Sequence, residues 1–332
     1  MRGIPAVEEG EGEAVRVITL EEHFWTGALR DANRTILAGR LSGELADNLI
    51  DLGPRRLADM DEAGIDVQVI SVTAPAAQEL DPVTSVALAR DANDQLAEAV
   101  AAHPGRFAGF ATLPTPDPEA AASELERTVT GLGFRGALIN GHTGGRFLDD
   151  PAFWPIFERA EALGVPVYLH PTYPTATLME AYYGGFEAPV SATLATSGWG
   201  WHAETGLHVL RLVLAGVFDR FPALQLIIGH MGENLPFSLA RADERLTPVA
   251  TSLKRSVGEY IRENVYITTS GYFTDPPLLC ALTVLGADRI MFSVDYPFSS
   301  NARARAFLDA APLSAADREK IAHGNAERLL GL

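Results

Sequence analysis

The sequence predicts an α/β fold and, within that class, a (β/α)8 TIM barrel. Three observations carry the prediction. Eight short apolar runs alternate with helical patterns along the 332-residue chain. Each run is mostly continuous in apolar residues, as a parallel sheet buried on both faces requires. Four of the runs end in a carboxylate or an imidazole, and barrel enzymes gather their functional groups at that rim. An open doubly wound sheet is the second choice of fold.

The first run, residues 15–20, ends in Glu21-Glu22-His23. Residues two apart on a strand share a face and lie roughly 6.5–7 Å apart. Glu21 and His23 therefore reach one cation together, while Glu22 turns the other way. A helical pattern at 55–63, broken at Gly64, leads to the second run at 66–72. Asp81 and Pro82 are an N-cap and a first turn for a long helix over 82–102, which His103-Pro104-Gly105 stops.

The third run is 107–113, followed by a helix that Asp117-Pro118 opens and Gly131 ends. The fourth run (135–140), a helix (151–163) and the fifth run (166–170) follow. Residues 171–202, rich in Tyr, Thr, Gly and Trp, break the rhythm. Structureless stretches of that length are uncommon in compact domains, so they read as a functional lid. A helix at 203–218, the sixth run at 224–230, helices at 235–246 and 257–263, and the seventh run at 264–269 come next. A helix at 276–285 precedes the eighth run at 289–294, and helices at about 302–310 and 315–330 close the chain.

Composition narrows the function. Hydrophobic residues make up 47% and charged residues 21%, an ordinary globular balance. The net charge of −17 argues against nucleic acid as a partner, and any anionic substrate needs local cations to hold it. No apolar run is long enough to span a membrane. Residues 1–14, with Glu8, Glu9, Glu11 and Glu13, read as a flexible acidic lead rather than a signal peptide, and 15–332 as a single domain. The lone cysteine, Cys280, fits a reducing cytoplasm. No Gly-x-Gly-x-x-Gly follows the first run and no phosphate loop is present, which removes the main support for dinucleotide or nucleotide binding.

At the rim, the first run delivers Glu21 and His23, the fifth His170, the sixth His230 and the eighth Asp295. Jointly they point to a shared metal site. The stretches Leu20-Glu21-Glu22-His23-Phe24, Tyr168-Leu169-His170-Pro171, Glu204-Thr205-Gly206-Leu207-His208, Ile228-Gly229-His230-Met231-Gly232-Glu233, Ile267-Thr268-Thr269-Ser270-Gly271 and Phe292-Ser293-Val294-Asp295-Tyr296-Pro297-Phe298 resemble the amidohydrolase-2 branch of the amidohydrolase superfamily. Within it they most resemble the metal-dependent, non-oxidative decarboxylases of the γ-resorcylate (2,6-dihydroxybenzoate) type.

The resemblance implies a barrel with one divalent ion held by Glu21, His23, His170 and Asp295. It implies His230 beside the ion, paired with Glu233, and Arg241 on the substrate. It also implies a homodimer or homotetramer, with the C-terminal helices and the 82–102 helix as contacts. Mixed oxygen and nitrogen donors suit zinc, the favoured ion, and also manganese or magnesium; no organic cofactor is needed.

The expected substrate is a small aromatic carboxylate, an ortho-hydroxybenzoate, with Asp295 protonating the ring carbon. Phe24 and Phe298, which follow ligand motifs, are the expected ring walls. A metal-dependent hydrolase of an amide or lactone is the alternative. Two departures from the resembled decarboxylases, Thr172 after Pro171 and Tyr272 after Gly271, remove hydrogen-bonding groups that those enzymes often carry near the rim.

Overall fold

The computed structural model describes residues 15–37 and 42–332, so the acidic lead expected at 1–14 lies outside the described residues. Strands β1 (Ile18–Phe24), β2 (Val67–Val72), β3 (Phe107–Gly109), β4 (Ala111–Thr112), β5 (Ala137–Asn140), β6 (Val167–His170), β7 (Leu226–Ile228), β8 (Val265–Thr268) and β9 (Ile290–Met291) follow one another around a parallel sheet. β3 and β4 are one barrel strand interrupted at Phe110. The Phe110 N–H donates to the Ile70 carbonyl, and the Ala111 N–H to the Gly136 carbonyl on the other side. The circle closes where Glu22 bridges to Tyr296 and the His23 N–H donates to the Tyr296 carbonyl at 2.7 Å.

Apolar side chains form two layers. Ile18, Leu20, Val69, Phe110, Tyr168 and Met291 fill the barrel interior. Val17, Phe24, Ile70, Ile139, Leu169 and Ile228 pack outward against the helices. The helices start where capping chemistry predicts: the Asp81 side chain accepts from the Thr84 N–H at 3.1 Å and opens Pro82–Ala102. Two expectations change. Residues 171–202 are not irregular: they hold helices at Ala176–Leu178, Met179–Tyr183 and Ala188–Ala195. The closing helix divides into Ala315–Glu319, a wider π turn at Lys320–Gly324, and Asn325–Leu330.

The decisive local feature is a bulge in β1. Thr19 pairs with Gln68, but Glu22 pairs with Ile70, so β1 carries one residue more than β2 over this interval. Simple alternation from Ile18 and Leu20 would send Glu22 inward. The extra residue resets the parity, so Glu21 and His23 face the barrel mouth while Glu22 and Phe24 face out. The Ser293 hydroxyl accepts from the successive N–H groups of Leu20 and Glu21, at 3.1 and 2.7 Å, and stabilises the irregularity. Outward-facing Glu22 then accepts from the Val294 and Tyr296 N–H groups, at 3.0 and 3.1 Å. It thereby joins β1 to the chain just past the two-residue β9.

Candidate metal centre

Glu21 is fully buried and fixed by one oxygen. The hydroxyls of Tyr168, Thr268 and Ser270 all donate to Oε2, with Thr268 at 3.2 Å. Oε1 has no hydrogen-bond partner and faces the barrel mouth. Room for this carboxylate depends on Gly229, where a Cβ would lie 2.8 Å from Oε1. His23 is held from behind by Arg56, a fully buried guanidinium whose Nη2 donates to the His23 carbonyl at 2.6 Å. Arg56 Nε also donates to the Asp51 carbonyl at 2.9 Å.

Glu21, His23, His170 and Asp295 bring their ligand atoms within 4.8 Å of one another. The His170 Nδ1–H donates to the Pro171 carbonyl at 2.8 Å, which leaves Nε2 as a lone pair. Burial, with help from His23 and His230, pushes His170 down to about 3, so the ring is neutral. That lone pair sits 3.3 Å from Glu21 Oε1, and His23 Nε2 sits 3.4 Å from Asp295 Oδ1. His23 Nε2, like Glu21 Oε1, is buried without a hydrogen-bond partner.

Two acceptors at 3.3 Å repel unless a cation lies between them, and orphaned buried polar atoms are costly. Burial, with the nearby Asp295 charge, also pushes the Glu21 carboxyl up against the pull of His230 and His23. A divalent ion removes all three penalties, so the residues present fit one.

Beside this cluster stands a second. His230 Nδ1 donates to Glu233 Oε1 at 2.7 Å, and its Nε2 lies 3.6 Å from Glu21 Oε1 and 3.8 Å from Asp295 Oδ2. Burial opposes a charge on His230, but Glu21 and Glu233 outweigh it and raise the imidazole well above its ordinary value. Burial likewise opposes ionisation of Glu233, yet His230 and His202 hold it down at about 2. Burial opposes the Asp295 anion too, but the neighbouring His23 and His230 rings keep that carboxyl well below the usual range. His230, Met231, Glu233, Asn234 and Asp295 all have positive φ, between 49° and 73°. Strained backbone of this kind clusters where side chains are held for function.

His170 and Asp295 of the first cluster and His230 of the second line a cavity of about 360 Å³, walled by Trp201, Tyr272 and Phe298 and reached by Thr73, Ser197 and Ser299. Its size is that of a small-ligand site. Phe298 stands over His23, with ring centroids 5.8 Å apart.

Among the expected site residues, Glu21, His23, His170, His230, Glu233, Asp295 and Phe298 are thus brought together. Two are not. Phe24 is 1% exposed and packs in the outer layer, because it alternates with inward-facing His23. Arg241 lies on the surface of helix Leu235–Leu246, 65% exposed and paired with Glu244 at 3.3 Å. Among the described residues lining the cavity there is no Lys or Arg.

Tyr168, Ser270 and His202 were not singled out by the sequence. Tyr168 is two residues before His170, and strand alternation alone puts both on the inner face. His202 carries no such signal: its position follows from the packing of the helix Gly200–Leu214.

A closed barrel that collects two carboxylates and two imidazoles at the mouth of an aromatic-walled cavity defines a mononuclear metal-dependent barrel enzyme. The chain belongs to the amidohydrolase family, whose profile matches residues 20–332. It is 42% identical over 326 residues to a γ-resorcylate decarboxylase from Polaromonas sp., a match covering 95% of this chain and 98% of that protein. Among solved structures it superposes on a 2,6-dihydroxybenzoate decarboxylase complexed with 2,6-dihydroxybenzoate, with a TM-score of 0.88, 40% identity and coverage of 96% and 100% of the two chains. It also superposes on a dihydroxybenzoic acid decarboxylase from Polaromonas sp. with bound manganese and 2-nitroresorcinol, with a TM-score of 0.88, 43% identity and coverage of 96% and 97%.

Proposed function

We propose that this protein is a metal-dependent, non-oxidative decarboxylase of an ortho-hydroxybenzoate. The observation that carries the reading is that one aromatic-walled cavity is lined by His170 and Asp295 of the four-residue donor cluster and by His230 of the His230–Glu233 pair. The relatives' names support the substrate class. Glu21, His23, His170 and Asp295 would hold the ion. When bound, it supplies a Lewis-acid charge that orients an anionic substrate and stabilises negative charge developing on it. Zinc is the ion the donor set first suggests, but the manganese in the relative's inhibitor complex makes manganese the first to test.

The residues divide the remaining work. Asp295, an anion in the resting site, accepts the proton of the substrate's ortho-hydroxyl as the acid binds. It then returns that proton to the ring carbon that carries the carboxylate. The carbon–carbon bond breaks, its electron pair restores the aromatic ring, and CO2 leaves. Protonated His230, held by Glu233, donates toward the phenolic oxygen and stabilises its charge. Phe298 and Trp201 confine the flat ring and exclude water.

With no Arg among the described residues lining the cavity, the substrate charge is met by the ion and by His230. The hydrolase alternative is not better supported by the relatives. Among the described residues no helix is long and apolar enough to cross a membrane, and the single cysteine supports a cytoplasmic location. A homodimer or homotetramer is proposed on family resemblance and is checked by light scattering. The activity itself is tested by CO2 release from a hydroxybenzoate panel that includes 2,6-dihydroxybenzoate.

A further inference from the structure

His202 is 4% exposed and borders the cavity. Its two ring nitrogens meet only acceptors. Nδ1 lies 2.7 Å from Glu233 Oε2 and Nε2 lies 3.1 Å from the Ser197 carbonyl oxygen. A carboxylate and a carbonyl both accept, so each of these hydrogen bonds requires the ring nitrogen to be its donor. Glu233 is thereby gripped on both oxygens, by His202 on Oε2 and His230 on Oε1.

The backbone explains how His202 arrives there. Residues four apart share a helix face, and Gly206 is four residues beyond His202. A Cβ at Gly206 would lie 2.6 Å from the Glu233 carbonyl oxygen, so the helix approaches the Glu233 loop as closely as glycine permits. One turn earlier on the same face, His202 reaches the Glu233 carboxylate. The ring also packs edge-on against Tyr272, at 5.3 Å, and against His230, at 5.0 Å.

The geometry points to His202 as a positioning residue for the decarboxylation. It fixes the Glu233 carboxylate, and through it the direction of His230 Nε2, and it ties that pair to the segment that carries Ser197. The inference rests on the decarboxylase reading for its kinetic assay only.

Two substitutions separate the two bonds. Asn carries its amide nitrogen where the imidazole has Nδ1, so His202→Asn keeps the grip on Glu233 and drops the Ser197 contact. Gln carries its amide nitrogen where the imidazole has Nε2, so His202→Gln keeps Ser197 and releases Glu233. Losing a partner that orients a functional group costs on the order of 10–100-fold. In the metal-loaded enzyme His202→Gln is expected to lower kcat by about that factor with little change in KM, and His202→Asn to recover most of the loss.

A second measurement needs no variant activity: nitrogen NMR of histidine-labelled, metal-loaded wild-type protein should show both His202 nitrogens protonated at neutral pH. Equal kcat losses in the two variants, an unaltered kcat in His202→Gln, or a His202 nitrogen without its proton overturns the proposal. A wild-type enzyme inactive on every hydroxybenzoate instead overturns the decarboxylase reading, and the NMR result still decides the role of His202.

Discussion

Replacing Gly229 with alanine isolates the contribution of Glu21 placement. Gly229 has φ near −81°, which alanine adopts without strain, so backbone conformation is not the issue. The added methyl would lie 2.8 Å from Glu21 Oε1 and 2.9 Å from its carboxyl carbon, inside van der Waals contact. Glu21 cannot simply back away, because Oε2 is held by Tyr168, Thr268 and Ser270. The carboxylate must rotate or shift by several tenths of an ångström. Displacements of ligands and their supports cost on the order of 10–100-fold in metal affinity or rate.

The assay is chelator competition for the bound ion, with kcat measured at saturating metal. Gly131→Ala serves as the control: that glycine sits in the helix Pro118–Leu132 with nothing within 4 Å of an added Cβ. It should stabilise the protein by about 0.5–1 kcal/mol and leave metal affinity alone. If Gly229→Ala binds metal like the wild type, Glu21 is not a ligand and the donor assignment fails.

Three further outcomes follow from the same geometry. Asp295→Asn should lower kcat on the order of 10³-fold while an inhibitor such as 2-nitroresorcinol still binds, as read by stopped-flow and calorimetry. Chelation should abolish turnover and lower the thermal midpoint, because an ion at about 100 times its Kd adds about 2.7 kcal/mol to the folded state; calorimetry with and without chelator measures it. Burial, with neighbouring His142 and Arg211, depresses His208 to about 3, below the 6.5 of an exposed histidine. The unfolded chain therefore takes up the proton first, and stability falls as pH drops from about 6.5 toward 3. By pH 4.5 the loss from this group is on the order of 2–3 kcal/mol, and urea unfolding of His208→Gln, which retains an acceptor for the Leu148 N–H, should show a shallower slope than wild type.

The barrel was legible because its signals are local and repeated: continuous apolar runs, Asp-Pro helix starts, and polar groups at the ends of the runs. Glu21, His23, His170 and Asp295 were legible because each sits at such an end. The reading of Glu21 as the inward carboxylate rested on its two-residue spacing from His23. In the structure β1 continues to Phe24, and the inward position of Glu21 depends on a bulge that depends in turn on Ser293, more than 270 residues away. That dependence also explains Phe24, which adjacency to His23 placed in the cavity and alternation turned outward.

Arg241 was assigned to the substrate from family resemblance, but its turn of the helix faces solvent. His202 escaped notice because it lay in a stretch read as irregular, and its partner Glu233 comes from a distant loop. Long-range side-chain pairing, rather than element type, is what periodicity and motif spacing do not encode.

The central claim is that the cavity removes CO2 from a hydroxybenzoate with a metal ion and no organic cofactor. The most direct measurement loads the apoprotein with manganese, and separately with zinc, and follows CO2 and phenol from 2,6-dihydroxybenzoate, salicylate and 5-carboxyvanillate. The account predicts CO2 and the corresponding phenol in equal amounts from at least one of these acids, dependent on added metal and lost in Asp295→Asn. No CO2 from any of them, alongside metal-dependent hydrolysis of an amide or lactone, would contradict it.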